Sequence, residues 1–223
     1  FNMMIMVIYA LITIAIFSMW YYARYEGNFL PSPKKTFNPM MLAAIVILVP
    51  GTQFAANFIA NLTGYIRPDW LQQYNELFET SGITDTTFVT VLYSVILAPI
   101  CEELIFRGVT MRCARKALPF ALANLMQAAL FGLFHLNWIQ GIYAFALGIV
   151  LGYVCECGGS IYYSIGLHLL FNLWGTLSGF FPDPGNSVVV FVVVIAVTIV
   201  SLVVGFVLFN KGRRKLPINS TGI

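Results

Sequence analysis

The chain has 223 residues, of which 59% are hydrophobic and only 9% charged. Soluble domains carry about 25% charged residues, so an ordinary soluble domain is excluded and a polytopic membrane protein is predicted. The net charge of +3 is small, and no basic run or aromatic-basic interleaving points to nucleic acid. Cys101, Cys113, Cys155 and Cys157 show neither CxxC spacing nor a disulfide-rich pattern. They read as small apolar residues in or near helices.

A membrane span needs about 20 apolar residues, and seven stretches qualify. The first is 3–23. The chain begins with Phe rather than Met. This first run lacks a basic leader and a small-residue cleavage site, so it is expected to be a span and not a signal peptide. Residues 24–37 form a short basic loop with Arg24, Lys34, Lys35, Pro31 and Pro33. The second span, 38–66, contains Pro50-Gly51, where a kink is expected. Residues 67–85 are polar and acidic (Asp69, Glu76, Glu79, Asp85). Apolar residues at helical spacing between Trp70 and Phe78 predict a short helix lying in the interface.

The third span, 86–108, continues as helix to Lys116, with Arg112, Arg115 and Lys116 at its exit. Pro119 opens the fourth span, which ends at His135-Leu136-Asn137-Trp138. The fifth, 139–155, carries Ala144, Gly148 and Gly152 four residues apart, a small-residue face that lets helices approach closely. A turn at 156–160 leads to the sixth span, 161–181, and a turn at 182–186 to the seventh, 187–209. The seventh is rich in Val and Ile, holds no ionisable residue and reads as lipid-facing. Lys211, Arg213, Arg214 and Lys215 follow it, then a polar tail expected to be disordered. Apart from Arg67, the Lys and Arg residues fall in or next to one alternating set of loops. The positive-inside rule then puts the N-terminus outside and the C-terminus in the cytoplasm. With no internal repeat or linker, residues 1–223 read as one membrane domain.

The costly residues are in the spans. Glu102 and Glu103 are adjacent acids in hydrocarbon, and intramembrane ionisable residues mark function by default. Arg107 follows Glu103 by four. His135 ends the fourth span. His168 and Asn172, four apart on one helical face, lie in the sixth. Counting 1.5 Å per residue from the cytoplasmic turns, Glu102 lies roughly 22 Å up its helix and His135 roughly 27 Å up its neighbour. His168 and Asn172 lie roughly 13 and 20 Å up theirs, so all four can share one layer.

Adjacent residues are about 100° apart on a helix, so the two acids take different roles. Glu103 precedes Arg107 in the favourable order for an intrahelical ion pair. Glu102 is left free for His135, and a carboxylate beside an imidazole can hold and deprotonate a water. His168 and the Asn172 amide can donate to a developing oxyanion. These parts suit amide hydrolysis by an activated water. Three other readings stay open: a proton-relay or cation site of a transporter, histidines that merely pack, and a zinc site built from Glu102, His135 and His168. Two His and one Glu are a known catalytic zinc set, although HExxH spacing is absent.

These residues resemble the three motifs of the CPBP family, the CAAX prenyl endopeptidases and bacteriocin-processing enzymes also called Abi. EExxxR stands as Glu102-Glu103-Leu104-Ile105-Phe106-Arg107, FxxxH as Phe131-Gly132-Leu133-Phe134-His135, and HxxxN as His168-Leu169-Leu170-Phe171-Asn172. The resemblance covers residues 88–177, within a family core at about 86–181. It implies an all-helical intramembrane glutamate endopeptidase without a metal cofactor. In it Glu102 and His135 activate the water, His168 and Asn172 stabilise the oxyanion, and Glu103 and Arg107 support the site. The implied substrates are membrane-associated peptides or CAAX-type protein C-termini. Some members only scaffold other membrane proteins or confer bacteriocin immunity, which is the alternative function. The compact length and short loops fit the plasma membrane of a bacterium.

Overall fold

A computed structural model describes residues 2–24, 37–81, 87–178 and 187–213. Among them all regular structure is helical. The helices are α1 (Asn2–Arg24), α2 (Pro39–Ile66), α3 (Pro68–Ser81), α4 (Phe88–Ala114), α5 (Phe120–Phe134), α6 (Trp138–Gly158), α7 (Ile161–Ser178) and α8 (Val188–Arg213). The expected basic loop at 24–37, the turn at 182–186 and the tail fall almost wholly outside the described residues.

Five of these helices, α1, α2, α4, α6 and α8, are long and apolar enough to cross a membrane. The fourth and sixth expected spans are present as α5 and α7, at 15 and 18 residues. At 1.5 Å per residue α5 rises only about 22 Å, short of a hydrocarbon core of about 30 Å. It stops early because the chain turns at once after it. His135 caps its C-terminus, Leu136 adopts a left-handed φ of 54°, and Asn137 caps α6 by accepting from the Gln140 N–H at 3.0 Å. The expected interfacial helix is α3. Its Trp70 stacks on Trp138 of α6 with centroids 5.3 Å apart, and its Tyr74 side chain reaches that of Tyr143. Arg67, just before α3, forks onto Asp69 at 2.9 and 2.6 Å and lies over the Trp70 ring. That hydrogen bond holds the Asp69 carboxyl below the usual carboxylate range. The pair is about half exposed, so it fixes local geometry more than stability.

Two prolines reshape their helices. Pro50 has no N–H to give α2, and the α8 hydroxyl of Ser201 inserts beside it. Ser201 accepts from the Gly51 N–H at 2.9 Å and donates to the Ile47 carbonyl. Pro99 acts on α4, where Leu92–Leu97 is π-helical. The Ala98 N–H bonds the Tyr93 carbonyl five residues back, and Pro99 has none to offer Ser94. A second π-helical stretch, Leu104–Met111, carries Arg107. The sequence pattern did not foretell either stretch, and such departures concentrate at functional sites.

Small residues set the helix spacing. As expected, Gly148 and Gly152 let α5 against α6: a Cβ on Gly152 would lie 1.9 Å from the Asn124 Oδ1. The seventh span is lipid-facing over most of its surface but not all. Ser201, Gly205, Phe209 and Gly212 are buried, and Gly205 and Gly212 lie against Leu48 and Met41 of α2. At Gly205 a Cβ would sit 2.6 Å from the Leu48 side chain. Gly205→Val is therefore expected to destabilise the protein by about 1–3 kcal/mol through overpacking. Val203→Ala, at a 57% exposed position, should leave it unchanged. Chemical denaturation in detergent micelles measures both.

Candidate active site

Glu103 and Arg107 form the expected intrahelical pair. The Arg107 Nη1 donates to the Glu103 Oε1 at 2.8 Å, and both side chains are 0% exposed. A buried ion pair is favourable only when its remaining hydrogens and lone pairs find partners. Arg107 Nη2 donates to the Gly148 carbonyl of α6 at 3.2 Å, and its guanidinium lies 4.5 Å from the centre of the Phe131 ring. The small-residue face of α6 thus does more than allow close packing, because it bares a carbonyl to Arg107. Gln127 of α5 donates to the same carbonyl at 2.9 Å and to the Asn124 Oδ1 at 2.7 Å.

His168 joins α7 to this cluster. Its Nδ1 lies 2.9 Å from the Glu103 Oε1 and its Nε2 lies 3.6 Å from the Glu102 Oε2. One imidazole therefore lies between both members of the acidic pair. With Nδ1–H donating to Glu103, Nε2 faces Glu102. The Glu102 side chain is 16% exposed against 0% for Glu103, so Glu102 is the acid a reactant can reach.

His135 and Asn172 stand further off. The His135 Nδ1 lies 2.8 Å from the Phe131 carbonyl in its own helix. Its ring meets the Phe131 ring edge-on at 4.9 Å, and that same ring meets His168 at 5.8 Å. Phe131 is a spacer between the two histidines. Asn172 Nδ2 donates to the Ser94 carbonyl at 2.8 Å, the acceptor that Pro99 leaves unused. One amide hydrogen of Asn172 is thereby committed, and the other has no partner among the described residues. The alternative zinc set does not come together. Among the described residues no three His, Cys, Asp or Glu side chains are placed to hold a metal ion, and His168 turns Nδ1 to Glu103.

Reading by residue type overlooked Gln127 and Asn124, two amides in an apolar span, and treated Phe131 only as the first letter of a motif. Positions 124, 127, 131 and 135 recur at helical spacing, which was the available signal.

Fold and cluster together define a polytopic membrane protein with an ionisable site assembled from α4, α5 and α7. Residues 84–174 match the family model described as type II CAAX prenyl endopeptidase Rce1-like. The match spans Glu102, Glu103, Arg107, His135, His168 and Asn172, and the resemblance to the CPBP family is borne out over that segment. No curated protein and no solved structure matches the chain.

Removing Arg107 would leave Glu103 buried without its cation, with His168 still on its Oε1. Arg107→Ala is expected to cost about 3–5 kcal/mol. Arg107→Lys should recover only part of it, because a lysine lacks the planar fork that reaches Glu103 and Gly148 together. Unfolding in detergent, followed by tryptophan fluorescence, measures both losses.

Proposed function

We propose that this protein is an intramembrane endopeptidase that hydrolyses a peptide bond with a water activated by Glu102 and His135. The observation that supports it best is the placement of His168 between Glu102 and Glu103, inside the segment similar to CAAX endopeptidases. Glu103 is wholly buried and holds Arg107 and His168 on its Oε1, which leaves Glu102 as the base. Glu102 takes a proton from the water, and the water oxygen forms a bond to the scissile carbonyl carbon. The oxyanion is received by the Nε2–H of a His168 that carries protons on both ring nitrogens, and by the second amide hydrogen of Asn172. As the C–N bond breaks, the proton held by Glu102 passes to the leaving amine. Glu103 and Arg107 hold His168 in place.

No metal takes part in this reading. The substrate is a peptide or protein C-terminus in or at the bilayer, with CAAX-type ends the leading class. Residues 1–223 act as one membrane domain, in the plasma membrane of a bacterium, with the N-terminus outside and the C-terminus in the cytoplasm.

The test is cleavage of a CAAX-type peptide by purified protein in lipid vesicles. Glu102→Ala and His135→Ala are each expected to lower kcat at least 100-fold without changing the unfolding midpoint, and a strong chelator should leave the wild type active. Variants that retain full cleavage would overturn the catalytic assignment, and a wild type that cleaves nothing would favour a scaffold or immunity role. Inactivation by the chelator, reversed by zinc, would replace the metal-free reading.

A further inference from the structure

α2 carries three amides at helical spacing, Gln53, Asn57 and Asn61, in a helix otherwise apolar enough to span a membrane. Asn57 and Asn61 are exposed, and Asn61 Nδ2 is committed to the Asn57 backbone carbonyl at 2.9 Å. Gln53 differs. It is only 7% exposed, its Oε1 has no partner among the described residues, and its Nε2 has only a long 3.5 Å contact to the Asn57 Oδ1. A buried carboxamide with so little satisfaction is unusual, since buried polar side chains are almost always paired.

Its neighbour gives its orientation. The Gln53 Nε2 lies 3.8 Å from where a Cβ on Gly175 would stand, and among the described residues no other atom from outside α7 lies within 4 Å of that point. Gly175 is exposed. On α7 a step of 100° per residue puts position 175 within about 20° of His168 and about 60° of Asn172. Gln53 therefore borders open space on the same face of α7 that carries both groups, about one turn beyond Asn172.

We infer that Gln53 binds the main chain of the peptide substrate beside the scissile bond. A carboxamide is complementary to a peptide unit in both directions: Oε1 accepts from an N–H and Nε2 donates to a C=O. This ligand would satisfy what the protein leaves open. Because it engages backbone, the residue would hold an extended peptide without selecting its side chains. Gly175, exposed and without a side chain, leaves room for the strand.

The inference rests on the peptidase reading, and its test separates the two. Gln53→Leu and the near-isosteric Gln53→Glu are compared with wild type in vesicles, using a farnesylated CAAX-type peptide labelled with a fluorophore. Both variants are expected to raise KM at least fivefold with kcat within twofold. In the Glu102→Ala background, where no turnover intervenes, Gln53→Leu should weaken peptide binding by a similar factor in fluorescence anisotropy. Should Gln53→Leu fail to fold, Gln53→Glu alone decides the outcome. Unchanged KM and affinity, a fall in kcat at constant KM, or no binding of the peptide by the Glu102→Ala protein would each overturn the role of Gln53. A wild-type protein that cleaves no peptide would instead overturn the peptidase reading, and an active Glu102→Ala protein would overturn its assignment of Glu102.

Discussion

The arrangement depends on a charge pair that the surrounding hydrocarbon cannot solvate. Glu103 and Arg107 are wholly buried, so their remaining hydrogens and lone pairs have only protein to turn to, and of these the Glu103 Oε2 and the Arg107 Nε find no partner among the described residues. Two partners come from other helices. Gly148 of α6 offers a carbonyl, and His168 of α7 offers a ring nitrogen. α4, α6 and α7 are thus tied at one level, and α5 joins them through Gln127. The requirement to satisfy one ion pair fixes the mutual positions of four helices, and with them the position of Glu102. Glu102 stays partly exposed while its neighbour absorbs the structural demand.

Much of this was legible in the sequence. Apolar length located the five long helices α1, α2, α4, α6 and α8 and the shorter α5 and α7, and amphipathic spacing located α3. The four-residue interval identified the Glu103–Arg107 pair, because that interval on a helix is a contact whatever the tertiary fold. The stripe of Ala144, Gly148 and Gly152 announced close packing for the same reason. Local periodicity carries such information directly.

What was not legible depends on contacts between helices. No spacing rule reveals that His168 would meet both glutamates, or that a phenylalanine would stand between the two histidines. The shortness of α5 escaped notice because hydropathy continues past His135 into Trp138 and Ile139, while the backbone turns at Leu136. Ser201 lies in a span that reads as lipid-facing, and nothing in its own sequence neighbourhood singles it out. Its importance appears only when α8 lies against the proline-broken ladder of α2. Gln53 was passed over because one amide in a long apolar run is unremarkable until its neighbours are known.

Pro99 has one further consequence. The proline withholds the N–H that would have bonded the Ser94 carbonyl, and Asn172, on another helix, takes that acceptor. Any residue other than proline at position 99 would restore a rival donor within reach of Ser94 and release the amide. Positions 99 and 172 are therefore expected to co-vary among relatives, although neither side chain touches the other. A backbone defect in one helix, inherited as a proline, sets the orientation of a side chain in a second.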